Sequence, residues 1–259
     1  MEESVKGSLV DGTAIITLNR PAAYNAFGAE LLTRLGQELM SISTNPEVKG
    51  VVLTGAGKAF CAGGDLKWLT SFDGSYGQAF HTLAALFHQA VLEIRRMPKP
   101  VIAAVNGIAA GGGFSMALAC DFRVMERSAV LRQGYTTNGL SLDGGGTFTL
   151  PRLVGLARAM EIAAFDRPIP PEQALAWGLV TEVVEDGRAL QRSIELIQAV
   201  RKGSPFSFAA SKNLMTDSFN TSFESQLEKE RNWLSACADH PNGREGISAF
   251  LEKRKPVYP

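Results

Sequence analysis

The chain opens on an alternation of apolar and polar positions. Ser8-Leu9-Val10 and Thr13-Ala14-Ile15-Ile16-Thr17-Leu18 flank Asp11-Gly12, and an Asp-Gly pair between two such runs predicts a tight hairpin. Over 29–42 the apolar residues recur at helical spacing and predict a helix. Residues 50–54 and 101–105 are short apolar runs rich in β-branched side chains, the pattern of buried strands. Between them 79–96 reads as a long amphipathic helix, stopped by Pro98 and Pro100. Residues 122–125 and 129–131 read as further short strands. From about Gly145 onward helical spacing dominates: 147–153, 156–165, 171–177, 190–200, 205–216, 223–238 and 243–254. Strands alternating with helices predict an α/β core with parallel pairing. The expected organisation is a core over 1–195 followed by a helical region over 196–259, with no linker and no strict repeat.

Composition narrows the partners. Of 259 residues, 26 are basic and 26 acidic. A zero net charge argues against a nucleic-acid partner, which usually demands a basic excess. The first residues carry two acids and no apolar run, so no signal peptide is expected. No segment approaches a membrane span; the longest candidate, 101–118, is interrupted by Asn106 and four glycines. Cys61, Cys120 and Cys237 are too scattered for a disulfide framework or a zinc cluster. Reduced thiols and a cytoplasmic location are the expectation.

The 26 glycines concentrate at 55–64, 107–113 and 139–146. The first cluster fails the phosphate-loop pattern, with Val52 and Ala59 in the wrong places, and the dinucleotide pattern, with Phe60 where the third glycine belongs. Gly113-Phe114-Ser115-Met116-Ala117 falls one residue short of the hydrolase elbow, and His240, the histidine that would follow it, lies in a polar segment. Physically, both of the first two clusters are strand–glycine–helix junctions. Helix N-termini present free N–H groups and a positive dipole end, and glycine lets a ligand approach the backbone. Two such junctions aimed at one point would make an oxyanion hole; tight turns without a ligand are the other reading.

At the level of ordered motifs the chain resembles the crotonase (enoyl-CoA hydratase/isomerase) superfamily. The resemblance rests on Asn19-Arg20-Pro21 with Asn25-Ala26, Thr54-Gly55 with Ala59-Phe60-Cys61-Ala62-Gly63-Gly64-Asp65-Leu66, and Lys99 to Asn106-Gly107 with Ala110-Gly111-Gly112-Gly113. It continues through Leu150-Pro151-Arg152, Gly178-Leu179-Val180 and Phe250-Leu251-Glu252-Lys253-Arg254. It implies a spiral ββα core, a helical C-terminal trimerisation region with a homotrimer or dimer of trimers, and acyl-CoA thioester substrates. No metal is implied, and no cofactor beyond the coenzyme A carried by the substrate. The oxyanion amides fall on Gly64 and Gly112. Backbone around Ala62, Asp65 and Leu66 would meet the adenine, and Phe250 and Lys253 would touch coenzyme A from a neighbouring subunit. Ala22 stands where a lysine is common, which leaves pyrophosphate to Arg20 or other residues.

The same resemblance places the two hydratase glutamates at Ser115 and Tyr135, so neither carboxylate is present. Adding water needs a base for the water and an acid for the α-carbon, which disfavours hydratase chemistry. Asp143, among apolar residues and glycines, matches the catalytic aspartate of family isomerases, and its surroundings resemble most the ring-opening isomerase of phenylacetate degradation. One carboxylate suffices to move a proton between two carbons. From spacing alone, Asp143 could instead cap the helix after it, and Asp65 could cap its own. His88 matches the base of the family's chlorobenzoyl-CoA dehalogenase, and a structural role on a helix face is its alternative. Phe114, Tyr135, Phe148 and Trp68 are candidates for the acyl pocket. The expected activity is acyl-CoA isomerisation, with hydration, Asp143-dependent hydrolysis or dehalogenation, and non-catalytic acyl-CoA binding as alternatives.

Overall fold

The hairpin forms as the Asp-Gly pair requires. In the computed structural model, which describes residues 3–258, Asp11 and Gly12 both take positive φ, 47° and 75°, the geometry whose twist matches the strands it joins. In chain order the elements are β1 (Val5–Val10), β2 (Thr13–Leu18), α1 (Ala29–Thr44), β3 (Gly50–Gly55), β4 (Ala59–Cys61), α2 (Leu66–Ser71), α3 (Tyr76–Arg96), β5 (Val101–Val105) and β6 (Ile108–Ala110). There follow α4 (Gly112–Ala119), β7 (Phe122–Glu126), β8 (Leu131–Arg132), α5 (Gly146–Val154), α6 (Leu156–Phe165), α7 (Pro171–Ala176) and β9 (Glu182–Val184). The chain closes with α8 (Ala189–Val200), α9 (Pro205–Asp217), α10 (Phe223–Asp239) and α11 (Pro241–Leu251).

One sheet orders its strands β1-β2-β3-β5-β7-β9; beyond the β1–β2 hairpin all its pairings are parallel. A second, small sheet orders β4-β6-β8, also parallel. The chain therefore repeats a strand in the large sheet, a strand in the small sheet, then a helix. Every residue of β3 and β5 is buried, because both faces of the large sheet are covered. Side chains alternate between those faces: Val51, Leu53, Val101, Ala103 and Val105 enter the main core. Val52, Ile102 and Ala104 face the other way, under Ile194 and Ile197 of α8.

The pattern missed β4, β6 and β9, each three residues long. That is too short for a period to show. Strand β9 lies inside the region expected to be mainly helical, and the strand expected over 129–131 is shifted to Leu131–Arg132. Helix α8 runs unbroken through residues 195 and 196, where the core was expected to end. The C-terminal helices dock through Lys212 of α9. Its ammonium pairs with Asp121 at 2.8 Å and donates to the carbonyls of Ile94 and Lys99. Helix α10 buries none of its side chains, and Phe223, Leu227 and Leu234 stand exposed on it. Among the described residues no helix is long and apolar enough to cross a membrane.

Candidate active site

Two buried or half-buried asparagines set the glycine junctions. Asn25, fully buried with φ 57°, donates to the carbonyls of Ala56 and Ala59. Asn106 accepts from the Gly55 N–H and the Thr54 hydroxyl, and donates to the Gly55 and Gly57 carbonyls. Together they tie the ends of β3 and β5 to the loop that leads into β4. Phe27 then forms a one-residue parallel bridge to Gly64: its N–H donates to the Gly63 carbonyl at 2.8 Å, and its own carbonyl accepts from the Asp65 N–H at 2.9 Å. The bridge uses the groups on either side of Gly64 and leaves the Gly64 N–H without a protein acceptor among the described residues. Gly112 opens α4, where an N–H has no acceptor within the helix. The two junctions touch. A methyl group on Gly63, whose φ is 92°, would lie 2.9 Å from the Gly112 nitrogen. Gly64 and Gly112 line one cleft of about 380 Å³, walled by Phe27, Phe80, Leu83, Phe87, Tyr135 and Asp143.

Asp143 enters that cleft from the loop ahead of α5. Its Oδ1 lies 2.5 Å from Nε2 of His88 on α3. The capping alternative fails: Gly145, with φ 75°, occupies the N-cap without any side-chain bond, and Asp143 contributes only its carbonyl, to the Gly146 N–H. Asp143 is about one-third exposed and His88 half exposed. Burial pushes the Tyr135 phenol far above its ordinary pKa, against the opposing pull of the nearby Ser115 hydroxyl, so it stays protonated. Ser115 itself is fully buried, and its Oγ makes no hydrogen bond of normal geometry.

Arg20, Ala62, Asp65, Leu66, Phe250 and Lys253 lie outside the lining of this cleft. Asp65 caps α2, accepting from the Lys67 N–H at 2.9 Å, and pairs with Arg20 at 2.7 Å. Arg20 gives its remaining reach to the Ala26 carbonyl, so its guanidinium already has two protein partners. Burial works against the Asp65 carboxylate, but Arg20 and the Lys67 and Trp68 amides outweigh it and hold the group below its ordinary range. Ala62 donates its N–H to the Tyr24 carbonyl, and Leu66 is exposed. Phe250 lies in the last turn of α11 with its ring exposed, and Lys253 follows the helix with φ 56°; neither lines the cleft. Of the aromatics expected there only Tyr135 is present. Phe114 is buried in the core, Trp68 packs on Phe72, and Phe148 lines a different cavity. His240 caps α11 and stacks on Phe206, which removes the partner a serine hydrolase would need.

Sequence reasoning missed Asp166. It lies at the end of α6 in a left-handed conformation (φ 46°) and is 2% exposed. It accepts from the Gly134 N–H, the Thr137 hydroxyl and Arg132, and so fixes the turn that carries Tyr135. Burial raises its pKa, but these donors prevail and hold it below the ordinary 3.8. A carboxylate depressed on folding stabilises the fold above its unfolded pKa and loses that contribution as pH falls through its folded one. The melting temperature of the wild type should therefore fall more steeply than that of Asp166→Asn between about pH 5 and pH 2. At neutral pH the substitution should cost about 2 kcal/mol.

The comparisons with known proteins follow this geometry. The profile of the family described as Enoyl-CoA hydratase/isomerase matches residues 9–259. The chain belongs to the enoyl-CoA hydratase/isomerase family. Within it, the chain is 33% identical over 259 residues to the 1,2-epoxyphenylacetyl-CoA isomerase of Escherichia coli K12, covering 100% of this chain and 99% of that one. It is also 33% identical to 4-chlorobenzoyl coenzyme A dehalogenase-2 of an Arthrobacter species, over 94% of this chain and 88% of that one. A crystal structure of an enoyl-CoA hydratase from Polaromonas sp. JS666 superposes with a TM-score of 0.93 at 38% identity, covering 98% and 99% of the two chains. The fold of this family member is thus the crotonase fold, α/β with a helical C-terminal region, and the protein is an enzyme of the enoyl-CoA hydratase/isomerase family.

Proposed function

We propose that this protein is an acyl-CoA isomerase that shifts a double bond by proton transfer through a thioester enolate. The observation that carries the reading is the lone carboxylate of Asp143 in the same cleft as the free amides of Gly64 and Gly112. The positions where resemblance puts the hydratase glutamates hold a serine and a tyrosine. In this reading the thioester carbonyl accepts from the Gly64 and Gly112 N–H groups. Asp143 takes a proton from the carbon next to the carbonyl, and the electron pair moves onto the carbonyl oxygen. The two amides meet the developing charge; each donor of this kind is worth roughly 3 kcal/mol in the transition state. The Asp143 carboxyl then returns the proton to the far end of the conjugated system. Atoms balance within the substrate, with no metal or separate cofactor, because coenzyme A arrives on the substrate. The protonated Tyr135 beside Asp143 holds a hydrogen where a second carboxylate would bring charge. Assembly as a homotrimer and a cytoplasmic location belong to the same proposal; the bare apolar side chains of α10 and three free thiols support them.

The test is a panel of 3-enoyl-, dienoyl- and aromatic acyl-CoA thioesters in heavy water. Isomerised product with deuterium at the far end of the shifted double bond is expected, together with exchange at the carbon beside the carbonyl in recovered substrate. Tight thioester binding with no deuterium uptake from any of them would leave the protein a non-catalytic binder.

The 2.5 Å contact between His88 and Asp143 favours a second reading, in which Asp143 attacks an acyl carbon and displaces the coenzyme A thiolate, or attacks an aryl carbon and displaces a halide, and His88 takes a proton from the water that then cleaves the bond to Asp143. His88→Gln separates the two. Isomerisation should fall by roughly tenfold or less, because Asp143 still works alone. A covalent route should stall with the adduct on Asp143, visible as added mass in rapid-quench spectra.

A further inference from the structure

Beside the cleft lies a larger cavity of about 840 Å³, lined by His88, Val91, Leu92 and Arg95 of α3, by Gly144 and Phe148 at the start of α5, and by α9. The His88–Asp143 pair is the partition between the two spaces. Asp143 faces the cleft, while His88 and Gly144 face the larger cavity. Ala84, His88, Leu92 and Arg95 lie on one side of α3, at the spacing of successive turns, so a single helix face runs from the cleft to the far end of the cavity.

Arg95 stands out there. Among the described residues it makes no ion pair and no hydrogen bond; its guanidinium carbon lies over the Phe148 ring, 5.2 Å from the centroid. Burial lowers its pKa, and the neighbouring Arg152 adds repulsion. The carboxylates within range are otherwise engaged: Asp121 pairs with Lys212, and Asp217 with Lys229. Arg96 lines the same cavity and likewise has no ion-pair partner among the described residues. A half-buried guanidinium without an anion is unfavourable for the fold itself. It gains a bidentate partner only when a ligand brings one.

We propose that Arg95 is the receptor for an anionic group at the far end of the substrate's acyl chain, so that the preferred substrates are CoA thioesters of dicarboxylic acids. This rests on the thioester reading of the cleft and adds the chemistry of the acyl tail. His88 and Arg95 are seven residues apart, which places the guanidinium's helix position roughly 10 Å along α3 from the proton-transfer site. A tail of medium length, threaded past the His88–Asp143 partition, carries a terminal carboxylate into that range. A neutral tail of equal length leaves Arg95 unpaired.

The experiment compares dissociation constants of adipoyl-, suberoyl- and sebacoyl-CoA with those of hexanoyl-, octanoyl- and decanoyl-CoA, measured calorimetrically on the full chain. At its best length the carboxylated series should bind at least about tenfold more tightly, the value of a charge-assisted hydrogen bond. Arg95→Gln should cut that preference below about threefold, and Arg95→Lys should retain part of it; a thermal melt of each variant checks folding. Equal binding of both series by the wild type, or a preference unchanged in Arg95→Gln, overturns the assignment while the thioester reading stands. Failure of both series and of free coenzyme A to bind overturns the thioester reading, and this assignment with it.

Discussion

Asp143→Asn should lower isomerisation and solvent deuterium uptake together, by roughly 10²- to 10⁴-fold, the range for a positioned general acid–base. The amide keeps the size and hydrogen-bonding shape of the carboxylate but cannot take a proton. Because the Gly64 and Gly112 amides are untouched, thioester affinity should stay within about threefold of wild type. That split between kcat and binding separates a proton carrier from a residue that only shapes the loop. A structural role would move the melting temperature and the affinity with the rate. Retention of full activity by Asp143→Asn would remove the carboxylate from the mechanism.

Gly63→Ala should lower kcat by roughly 10²- to 10³-fold, the effect of losing an oxyanion donor. The added methyl group meets the Gly112 nitrogen at 2.9 Å and the Ala110 carbonyl at 3.0 Å, at a φ of 92° that L-residues avoid. Relief requires the two junctions to part, and the amides they carry then no longer point at one oxygen. The strained backbone should also cost about 1–3 kcal/mol of stability. Unlike Asp143→Asn, this variant should bind an enolate-mimicking thioester more weakly, since the anion's grip is what it loses. Competition by such an analogue against a plain acyl-CoA measures the difference.

Much of this arrangement could be read from the chain. Strands β3 and β5 announced themselves as apolar runs because both their faces are covered. Helix α3 showed its period over 79–96, although its true start at Tyr76, set by a capping box between Ser75 and Gln78, went unread. The free amides that helix starts and glycines offer left two readings of the glycine junctions, convergence on one point or tight turns without a ligand. What could not be read depends on distance along the chain. Asp143 and His88 are 55 residues apart, and spacing alone left the aspartate free to be read as the cap of its own helix. The pairing of Arg20 with Asp65, 45 positions later, was not readable from spacing either. Asp166 carries no local sign that it reaches back to the Tyr135 turn. Apart from Tyr135 the aromatic residues of the cleft went unread for the same reason: Phe27 comes from the bridge to Gly64, and Phe80 and Phe87 from α3, about two turns apart.

The second face of the large sheet sets an order for biosynthesis. Ile15, Val52, Ile102 and Val124 are sealed there by α8, which lies more than 60 residues beyond β7 in the chain. A nascent polypeptide that has emerged only as far as α7 carries a wet aliphatic stripe across four parallel strands, the kind of surface that associates with other unfinished copies. Chaperone holding during that interval, and aggregation of chains truncated before residue 189, follow from where α8 is encoded.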